Sequence, residues 1–167
     1  MDEPKRLARN QQRLAECHPR FAVRLQRAIA MLEKRGFRPR IQEAWRSKAD
    51  QQIAFDTGHS KLQFGYHNGT GPNGEKLSLA VDLLEDDDPL DPPIRYVLAL
   101  AIDAGKAGLG TGALWARKGA PPLTGAKKAI ETGNIEAKVN VGWDPCHVEV
   151  VGVSLDKARA GDFSEVR

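Results

Sequence analysis

Residues 142–153 read Gly-Trp-Asp-Pro-Cys-His-Val-Glu-Val-Val-Gly-Val and predict a strand over about 146–153, preceded by a turn. Successive side chains of a strand point to opposite faces, so His147 and Glu149 share one face while Cys146 lies on the other. We therefore expect Cys146 to be a small buried apolar residue, and we interpret Cys17 in the same way. The strand then carries its ionisable side chains on one face.

Apolar periodicity over the rest of the chain predicts a mixture of helices and short strands. The predicted strands are residues 37–44, 79–84, 135–141 and 146–153. The predicted helices are residues 4–16, a segment from Phe21 that ends at Gly36, and residues 47–56, 94–106 and about 125–132. Residues 59–78 and 108–125 are rich in glycine or proline and predict loops. Helices packed on a short antiparallel sheet define a small α+β fold.

The length of 167 residues suits a single domain. We expect this domain to occupy residues 1–153, with its helices at the N-terminus, and residues 154–167 to form a weakly ordered tail. The longest apolar run, Tyr96–Ile102, has seven residues, far fewer than the roughly 20 that cross a bilayer. The N-terminal segment lacks the apolar core of a signal peptide, so we expect synthesis in the cytoplasm and a monomer without a transmembrane segment. Two cysteines exclude a disulfide scaffold and a four-cysteine zinc module.

The net charge of +3 is unevenly distributed. Residues 1–40 contain 11 Lys and Arg against 4 Asp and Glu, whereas residues 82–91 contain six acids and no base. A basic segment of this kind can contact nucleic acid, anionic lipid or a cell-wall polymer, and it can equally be a solvated helix surface. Charge alone therefore does not select a function.

Two of the four histidines stand next to predicted strands that also carry carboxylates. His67 precedes the strand that contains Asp82, and His147 begins the last strand. Two histidines and one carboxylate are a common ligand set for catalytic zinc, which keeps its fourth position for water. Asp144, three residues before His147, would then be close enough to take a proton from that water. Because histidines are often structural, the residues alone leave zinc open.

Three motifs in order give a more specific indication. The first comprises Glu43-Ala44-Trp45-Arg46-Ser47, Gln51, Phe55, Gly58, Ser60-Lys61 and His67; the second is Ala80-Val81-Asp82; the third is Trp143-Asp144-Pro145-Cys146-His147. Together they resemble the zinc peptidases that cut peptidoglycan stem peptides, namely the D-alanyl-D-alanine carboxypeptidases and the L-alanyl-D-glutamate endopeptidases of phage endolysins. The resemblance extends over residues 7–152 and implies the D,D-peptidase-like, or hedgehog-like, α+β fold with a zinc cleft.

The resemblance implies a role for each matched residue. His67, Asp82 and His147 are the expected Zn²⁺ ligands, Asp144 the general base, and Arg46 the residue that holds the oxyanion. Three further residues are expected to support the site. Gln51 orients the arginine loop or the substrate, or is only an amide on the helix surface. Glu149 is a partner for the His147 ring, and Trp143 is a core or groove aromatic.

The chain departs from this pattern between the first two ligands. The motif normally places the aspartate seven positions after the histidine, whereas Asp82 here follows His67 by 15 positions. The extra residues fall within Asn68–Ser78, whose glycines, proline and asparagines predict a surface loop. We expect this segment to be a mobile insertion that overhangs the cleft and lies outside the metal group.

The resemblance implies a metallopeptidase acting on peptidoglycan stem peptides, with the L-alanyl-D-glutamate bond as the expected target. The host role expected is that of a phage or prophage endolysin, held in the bacterial cytoplasm until it is released to the wall for lysis. The alternatives are a D-alanyl-D-alanine carboxypeptidase and a non-catalytic wall-binding module on the same fold. No nucleic-acid partner is expected, since a DNA-binding protein would leave the His/Asp pattern unexplained.

Overall fold

The computed structural model describes residues 1–167 as six α-helices and one four-stranded sheet. The helices are α1 (Glu3–Leu14), α2 (Pro19–Lys34), α3 (Lys48–Asp56), α4 (Ile94–Lys106), α5 (Thr124–Thr132) and α6 (Leu155–Arg159). The strands are β1 (Pro39–Glu43), β2 (Ala80–Glu85), β3 (Leu109–Gly112) and β4 (Asp144–Val150), and a short 3₁₀ helix covers Tyr66–Asn68. The sheet order is β1-β2-β4-β3, and every neighbouring pair is antiparallel. The predicted α+β fold is confirmed.

Side chains at the helix ends explain where α2 and α3 begin and end. The Ser47 hydroxyl accepts a hydrogen bond from the Asp50 amide at 3.1 Å and caps α3, as predicted. His18 caps α2 through Nδ1, which accepts from the Arg20 amide at 3.2 Å. Gly36 follows the end of α2 with φ of 90°, a conformation that glycine adopts without strain.

The hydrophobic core lies between α2, α4 and one face of the sheet. Its fully buried members include Phe21, Leu25, Leu32, Ile41, Val81, Leu83, Tyr96, Leu100 and Val148. Cys17 and Cys146 are buried in the same cluster, as expected. Because the core covers only one face of the sheet, the side chains of β2 and β4 that point the other way remain free to form a site. None of the helices has the length and apolar content required to cross a membrane.

The structure corrects the expected strands at the far edge of the sheet. Residues 109–112, predicted as part of a surface loop, form β3 and pair with β4. Residues 135–141, predicted as a strand, form a turn at 135–136 followed by irregular chain, and they belong to no sheet. Ala137, Val139 and Val141 instead pack against α4 and α5, so the alternation of apolar residues reflects burial against helices. β3, with the sequence Leu-Gly-Thr-Gly, contains two glycines, a residue type that is depleted in strands.

The expectation of a weakly ordered tail is also wrong. Residues 154–167 include α6, and Ala158 and Val166 are buried in the main core. Arg20 of α2 donates a hydrogen bond at 3.0 Å to the Val166 carbonyl. The C-terminal residues therefore pack on the same core as residues 1–153.

The opposite charges noted in the sequence meet in space. The Asp86 side chain is fully buried and forms ion pairs with two arginines, with Arg40 Nη1 at 3.0 Å and with Arg38 Nη2 at 3.2 Å. Arg38 also bonds to Asp87 at 2.7 Å. Part of the basic N-terminal segment thus pairs with the acidic loop after β2, which reduces the charge available for a polyanionic partner.

Candidate active site

Asp82 and His147 lie directly opposite each other on neighbouring strands. They form a register pair between β2 and β4, and side chains opposite each other in an antiparallel pair point to the same face. His147 Nδ1 lies 3.6 Å from Asp82 Oδ1. Two of the expected ligands are therefore positioned by rigid backbone pairing.

The 3₁₀ helix at Tyr66–Asn68 brings the third expected ligand to the same point. His67 Nδ1 donates to the Ala44 carbonyl at 2.7 Å, and because a carbonyl only accepts, this nitrogen carries the proton. Nε2 is left with a free lone pair, and it lies 3.6 Å from Asp82 Oδ1. The hydrogen bond thus fixes both the orientation and the tautomer that a metal ligand needs.

The three side chains fit a metal ion. One ligand atom from each of His67, Asp82 and His147 lies within 4.8 Å of the others, and both histidine-to-carboxylate distances are 3.6 Å. Ligand atoms about 2.1 Å from a tetrahedral zinc are about 3.4 Å apart. Two imidazoles and one carboxylate are donors that zinc accepts, so the group is able to hold this ion.

Glu149 occupies the position expected of a partner for the His147 ring. Its Oε2 lies 3.6 Å from His147 Nε2, on the side of the ring away from Asp82. Burial lowers the pKa of His147, but Asp82 and Glu149 outweigh it and raise the pKa to about 9. For Asp82 burial acts in the opposite direction and raises the pKa, but the hydrogen bonds and charges of the two histidines lower it below its usual range. The ionisable side chains on this face of the sheet therefore shift one another's pKa values strongly.

Asp144 stands at the edge of the metal group without belonging to it. Its Oδ2 lies 3.9 Å from His147 Nδ1, and the side chain is partly exposed to the cleft. Burial, followed by the charge of Asp82, raises the pKa of the Asp144 carboxyl. A carboxylate with a raised pKa is better suited to accept a proton and to return it.

Arg46 is held by two neighbours that leave part of its guanidinium free. Its Nε and Nη2 donate to the two Glu43 oxygens at 2.7 Å each, and Nη1 donates to Gln51 Oε1 at 2.9 Å. The hydrogen bond with Glu43 is the main cause that raises the pKa of Arg46. Of five N–H groups, two remain available, and the side chain lines the same cleft as Asp144.

Gln51 is a structural support of the site and not a helix-surface amide. The residue is only 2% exposed. Besides accepting from Arg46, it donates through Nε2 to the Ser60 hydroxyl at 2.8 Å and to the Leu62 carbonyl at 2.6 Å. One side chain therefore fixes both the arginine and the segment that follows α3.

Backbone hydrogen bonds tie Arg46 to the 3₁₀ helix that carries His67. The Arg46 amide donates to the His67 carbonyl at 2.9 Å, and Asn68 Nδ2 donates to the Arg46 carbonyl at 2.8 Å. Asn68 Oδ1 also accepts from the Gly65 amide at 2.8 Å. The arginine and the histidine are therefore held as one unit.

The site lies in a cleft of about 480 Å³ between two different walls. One wall is the segment 59–62, and the other is formed by Trp115 and Trp143, whose rings lie 5.9 Å apart. Trp115 also packs against the His147 ring, with the centroids 5.1 Å apart. Trp143 therefore lines the cleft, in agreement with the groove role considered for it.

Close backbone contact holds the tryptophan wall together. A Cβ atom on Gly142 would lie 2.3 Å from the Gly112 carbonyl oxygen, and one on Gly112 would lie 1.9 Å from the Asp144 carbonyl oxygen. The Gly142 amide donates to the Ala113 carbonyl at 2.6 Å, and the Trp143 amide donates to the Trp115 carbonyl at 3.1 Å. Only glycine fits at these two positions.

The inserted segment between the first two ligands differs from the expectation. Residues 69–77 form a hydrogen-bonded hairpin, in which Thr70 pairs with Lys76 and the Leu77 amide donates to the Gly69 carbonyl at 2.9 Å. Trp45 holds this hairpin through a 3.2 Å bond from Nε1 to the Thr70 hydroxyl. No residue of 68–78 lines the cleft, so the prediction that the insertion overhangs it is wrong.

Glu43 and Trp115 are site residues whose contacts with Arg46 and His147 the sequence did not predict. Glu43 lies in the quoted motif three positions before Arg46, and an acid at that distance from a required arginine is a usable signal. Trp115 lies beyond the sequence motifs, in a glycine- and proline-rich stretch, and only the pairing of β3 with β4 brings it to His147. No local pattern indicated this contact.

The fold is similar to that of a solved peptidase. The crystal structure of the Serratia marcescens L-Ala D-Glu endopeptidase ChiX matches with a TM-score of 0.53, 17% identity, and coverage of 86% of this chain and 87% of ChiX. A zinc-bound variant of the VanB-type D,D-pentapeptidase VanY matches with a TM-score of 0.45 and 18% identity, over 84% of this chain and 75% of VanY. No protein-family model and no curated protein sequence matches this chain. The chain therefore has the ChiX fold, which agrees with the α+β zinc-peptidase fold that the motifs imply.

Proposed function

We propose that this chain is a zinc-dependent peptidase that cleaves peptidoglycan stem peptides at the L-alanyl-D-glutamate bond. One observation carries the proposal: His67, Asp82 and His147 converge within 4.8 Å, and Asp144 and Arg46 line the same cleft. The likeness to ChiX, whose name gives this bond as its target, supports the substrate class.

The three ligands would hold zinc through His67 Nε2, the Asp82 carboxylate and His147 Nδ1. When bound, zinc lowers the pKa of a coordinated water to about 7 and polarises a substrate carbonyl. The partners Ala44 and Glu149 keep the two imidazoles oriented for this task.

Asp144 and Arg46 supply the remaining chemistry. The Asp144 carboxylate accepts the proton from the attacking water and passes it to the leaving amine, which its raised pKa favours. The two free N–H groups of Arg46 donate to the oxygen of the scissile carbonyl as its negative charge develops. Glu43 and Gln51 keep the guanidinium in place, so little reorganisation is needed during the reaction.

The shape of the cleft favours an endopeptidase over a D-alanyl-D-alanine carboxypeptidase. Trp115 and Trp143 line both this cleft and a second groove of about 830 Å³, so a bound chain can continue past the metal group. A carboxypeptidase requires instead a closed pocket for the terminal carboxylate. A phage or prophage endolysin role, with cell lysis after release from the cytoplasm, follows from the endopeptidase motifs and remains part of the proposal.

Digestion of purified peptidoglycan tests the proposed bond. The zinc-loaded protein should release fragments with new D-glutamate N-termini, identified by mass spectrometry, and the Asp144→Asn variant should not. Loss of terminal D-alanine would instead identify a carboxypeptidase. Binding to the wall without any new terminus would identify a non-catalytic wall-binding module.

A further inference from the structure

A second groove adjoins the cleft and has no role in the chemistry described above. It is lined by Ile94, by residues of 115–126 and by residues 137–143, and it encloses about 830 Å³. Trp115 and Trp143 line both cavities, so the groove and the cleft adjoin at this pair of rings. Its floor is apolar, because Ala126, Val139 and Val141 pack there against one another.

The groove differs from the cleft in its charged residues. The cleft lining combines three carboxylates, Asp82, Asp144 and Glu149, with the cations Arg46 and Lys61, whereas the groove lining contains two cations, Arg117 and Lys138, and no acid. A third cation, Lys61, lies near the same aromatic ring as Arg117: its Nζ lies 5.1 Å from the Trp143 ring centroid, and Arg117 Cζ lies 5.9 Å from that centroid.

These cations are also free of acidic partners. Each of Lys61, Arg117 and Lys138 is exposed, and none takes part in any of the ion pairs of the chain. Arg46, by contrast, is neutralised by Glu43. An unpaired cation stacked on an aromatic ring keeps its full charge for a ligand while the ring limits its movement.

We propose that this groove is the subsite for the carboxylate-bearing residues of the peptide that follow the scissile bond, and that Lys61, Arg117 and Lys138 bind their free carboxylates. This inference rests on the proposed function. In an L-alanyl-D-glutamyl peptide the side carboxylates begin after the scissile bond, so the unpaired cations at and beyond Trp143 favour binding of that part of the peptide in the groove. The three cations thereby favour substrates with free side carboxylates over substrates in which these groups are carboxamides.

The test compares two L-alanyl-D-glutamyl peptides of the same sequence, one with free carboxylates after the cut and one with carboxamides. We expect the wild-type protein to show a higher kcat/KM for the acid peptide, mainly through KM. Removing a cation with Lys61→Gln, Arg117→Gln or Lys138→Gln should lower the acid-to-amide ratio by about twofold to fivefold each, the range of exposed ion pairs. Lys34→Gln, which removes an equal charge on α2 outside both cavities, should leave the ratio as it is.

The preference should also decrease as salt increases, because exposed charges are screened. Equal kcat/KM for both peptides, or a ratio that Lys34→Gln changes as much as Arg117→Gln does, would overturn the inference. If neither peptide is cleaved, the proposed function fails, and binding of the same peptides is then measured by the fluorescence of Trp115 and Trp143. Tighter binding of the acid peptide, reduced by Arg117→Gln, would still support the groove; equal binding would refute it.

Discussion

The Glu43 carboxylate accepts two hydrogen bonds from the Arg46 guanidinium, each 2.7 Å long. This paired geometry fixes the plane of the guanidinium and leaves its free N–H groups in the cleft. Glu43 lies at the end of β1, so the sheet that positions Asp82 and His147 also positions the arginine. The proposed metal group and the proposed oxyanion donor therefore share one rigid frame.

The variant Glu43→Gln should lower kcat/KM by about tenfold or more, since hydrogen bonds between charged groups contribute about 1.5–3 kcal/mol. Zinc content should stay at the wild-type level, because the Glu43 carboxylate bonds to Arg46 and is not one of the three expected ligands. Steady-state kinetics and metal analysis check both points. Gln42→Glu, an exposed neighbour on β1, serves as a control. Unchanged kinetics in Glu43→Gln would mean that Arg46 does not need this partner.

The variant Asp144→Asn should retain zinc but lose activity by at least about 100-fold, the lower end of general acid–base contributions. The amide has the size of the carboxylate but cannot accept the proton from water. Turnover of a stem peptide is measured together with the zinc content of each preparation. Near-normal turnover would point to Glu149 as the base.

The purified protein should bind about one zinc ion per chain, the capacity of a single three-ligand site. Zinc at 100 times its dissociation constant should stabilise the fold by about 2.7 kcal/mol, since only the folded state assembles the ligands. Thermal unfolding with and without a chelator measures this effect. His67→Ala should abolish it, whereas His59→Ala, in the cleft wall, should not; a stable, active, metal-free protein would contradict the prediction.

Shortening the inserted hairpin should leave zinc binding and peptide cleavage intact. A two-residue Asn-Gly turn can replace residues 70–76, because Gly69 and Leu77 are already hydrogen bonded. Stability should decrease moderately, since Trp45 loses its bond to Thr70 and its contact with Lys76. Zinc analysis, kinetics and denaturant unfolding give the three readouts. Loss of zinc in a folded variant would show that the hairpin supports the ligands.

His18 should make the fold less stable in mild acid. Burial, aided by Arg20, lowers the pKa of His18 in the folded protein, so the unfolded chain, with a pKa of about 6.5, binds the proton more readily. The stabilising contribution is complete above pH 6.5 and is lost as the pH falls through the folded pKa. The metal-free wild type should therefore lose more unfolding free energy between pH 7.5 and 5.5 than His18→Asn, which keeps a capping acceptor. Equal losses would contradict the prediction.

The sequence predicted those parts of the molecule that depend on local pattern. Ser47 and Gly36 marked helix ends through capping chemistry. The order of His67, Asp82 and His147 predicted a group that the β2–β4 register and the 3₁₀ helix bring together. The wrong elements depend on long-range contacts. The alternating apolar residues of 135–141 are equally suited to a strand and to packing on α4 and α5, and only the tertiary structure decides between them.

The same limit applies to the inserted segment. Glycine, proline and asparagine predicted a loop in residues 68–78, but composition does not show against which part of the molecule a loop packs. The hydrogen bond between Trp45 and Thr70 joins residues 25 positions apart and holds a hairpin that does not line the cleft. The cleft wall is formed instead by residues 59–62, which Gln51 holds in place.

Because the backbones of Gly112 and Gly142 are in close contact, the tryptophan wall of the cleft does not tolerate substitution at these two positions, whereas the opposite wall does tolerate substitution. Any side chain at either glycine would force the tryptophan wall apart and displace Asp144 with it. The opposite wall, by contrast, presents the exposed side chains of residues 59, 61 and 62, and one buried glutamine anchors its backbone. A combinatorial library that randomises these three positions, with both glycines retained, would therefore diversify substrate preference without disturbing the ligands of the metal.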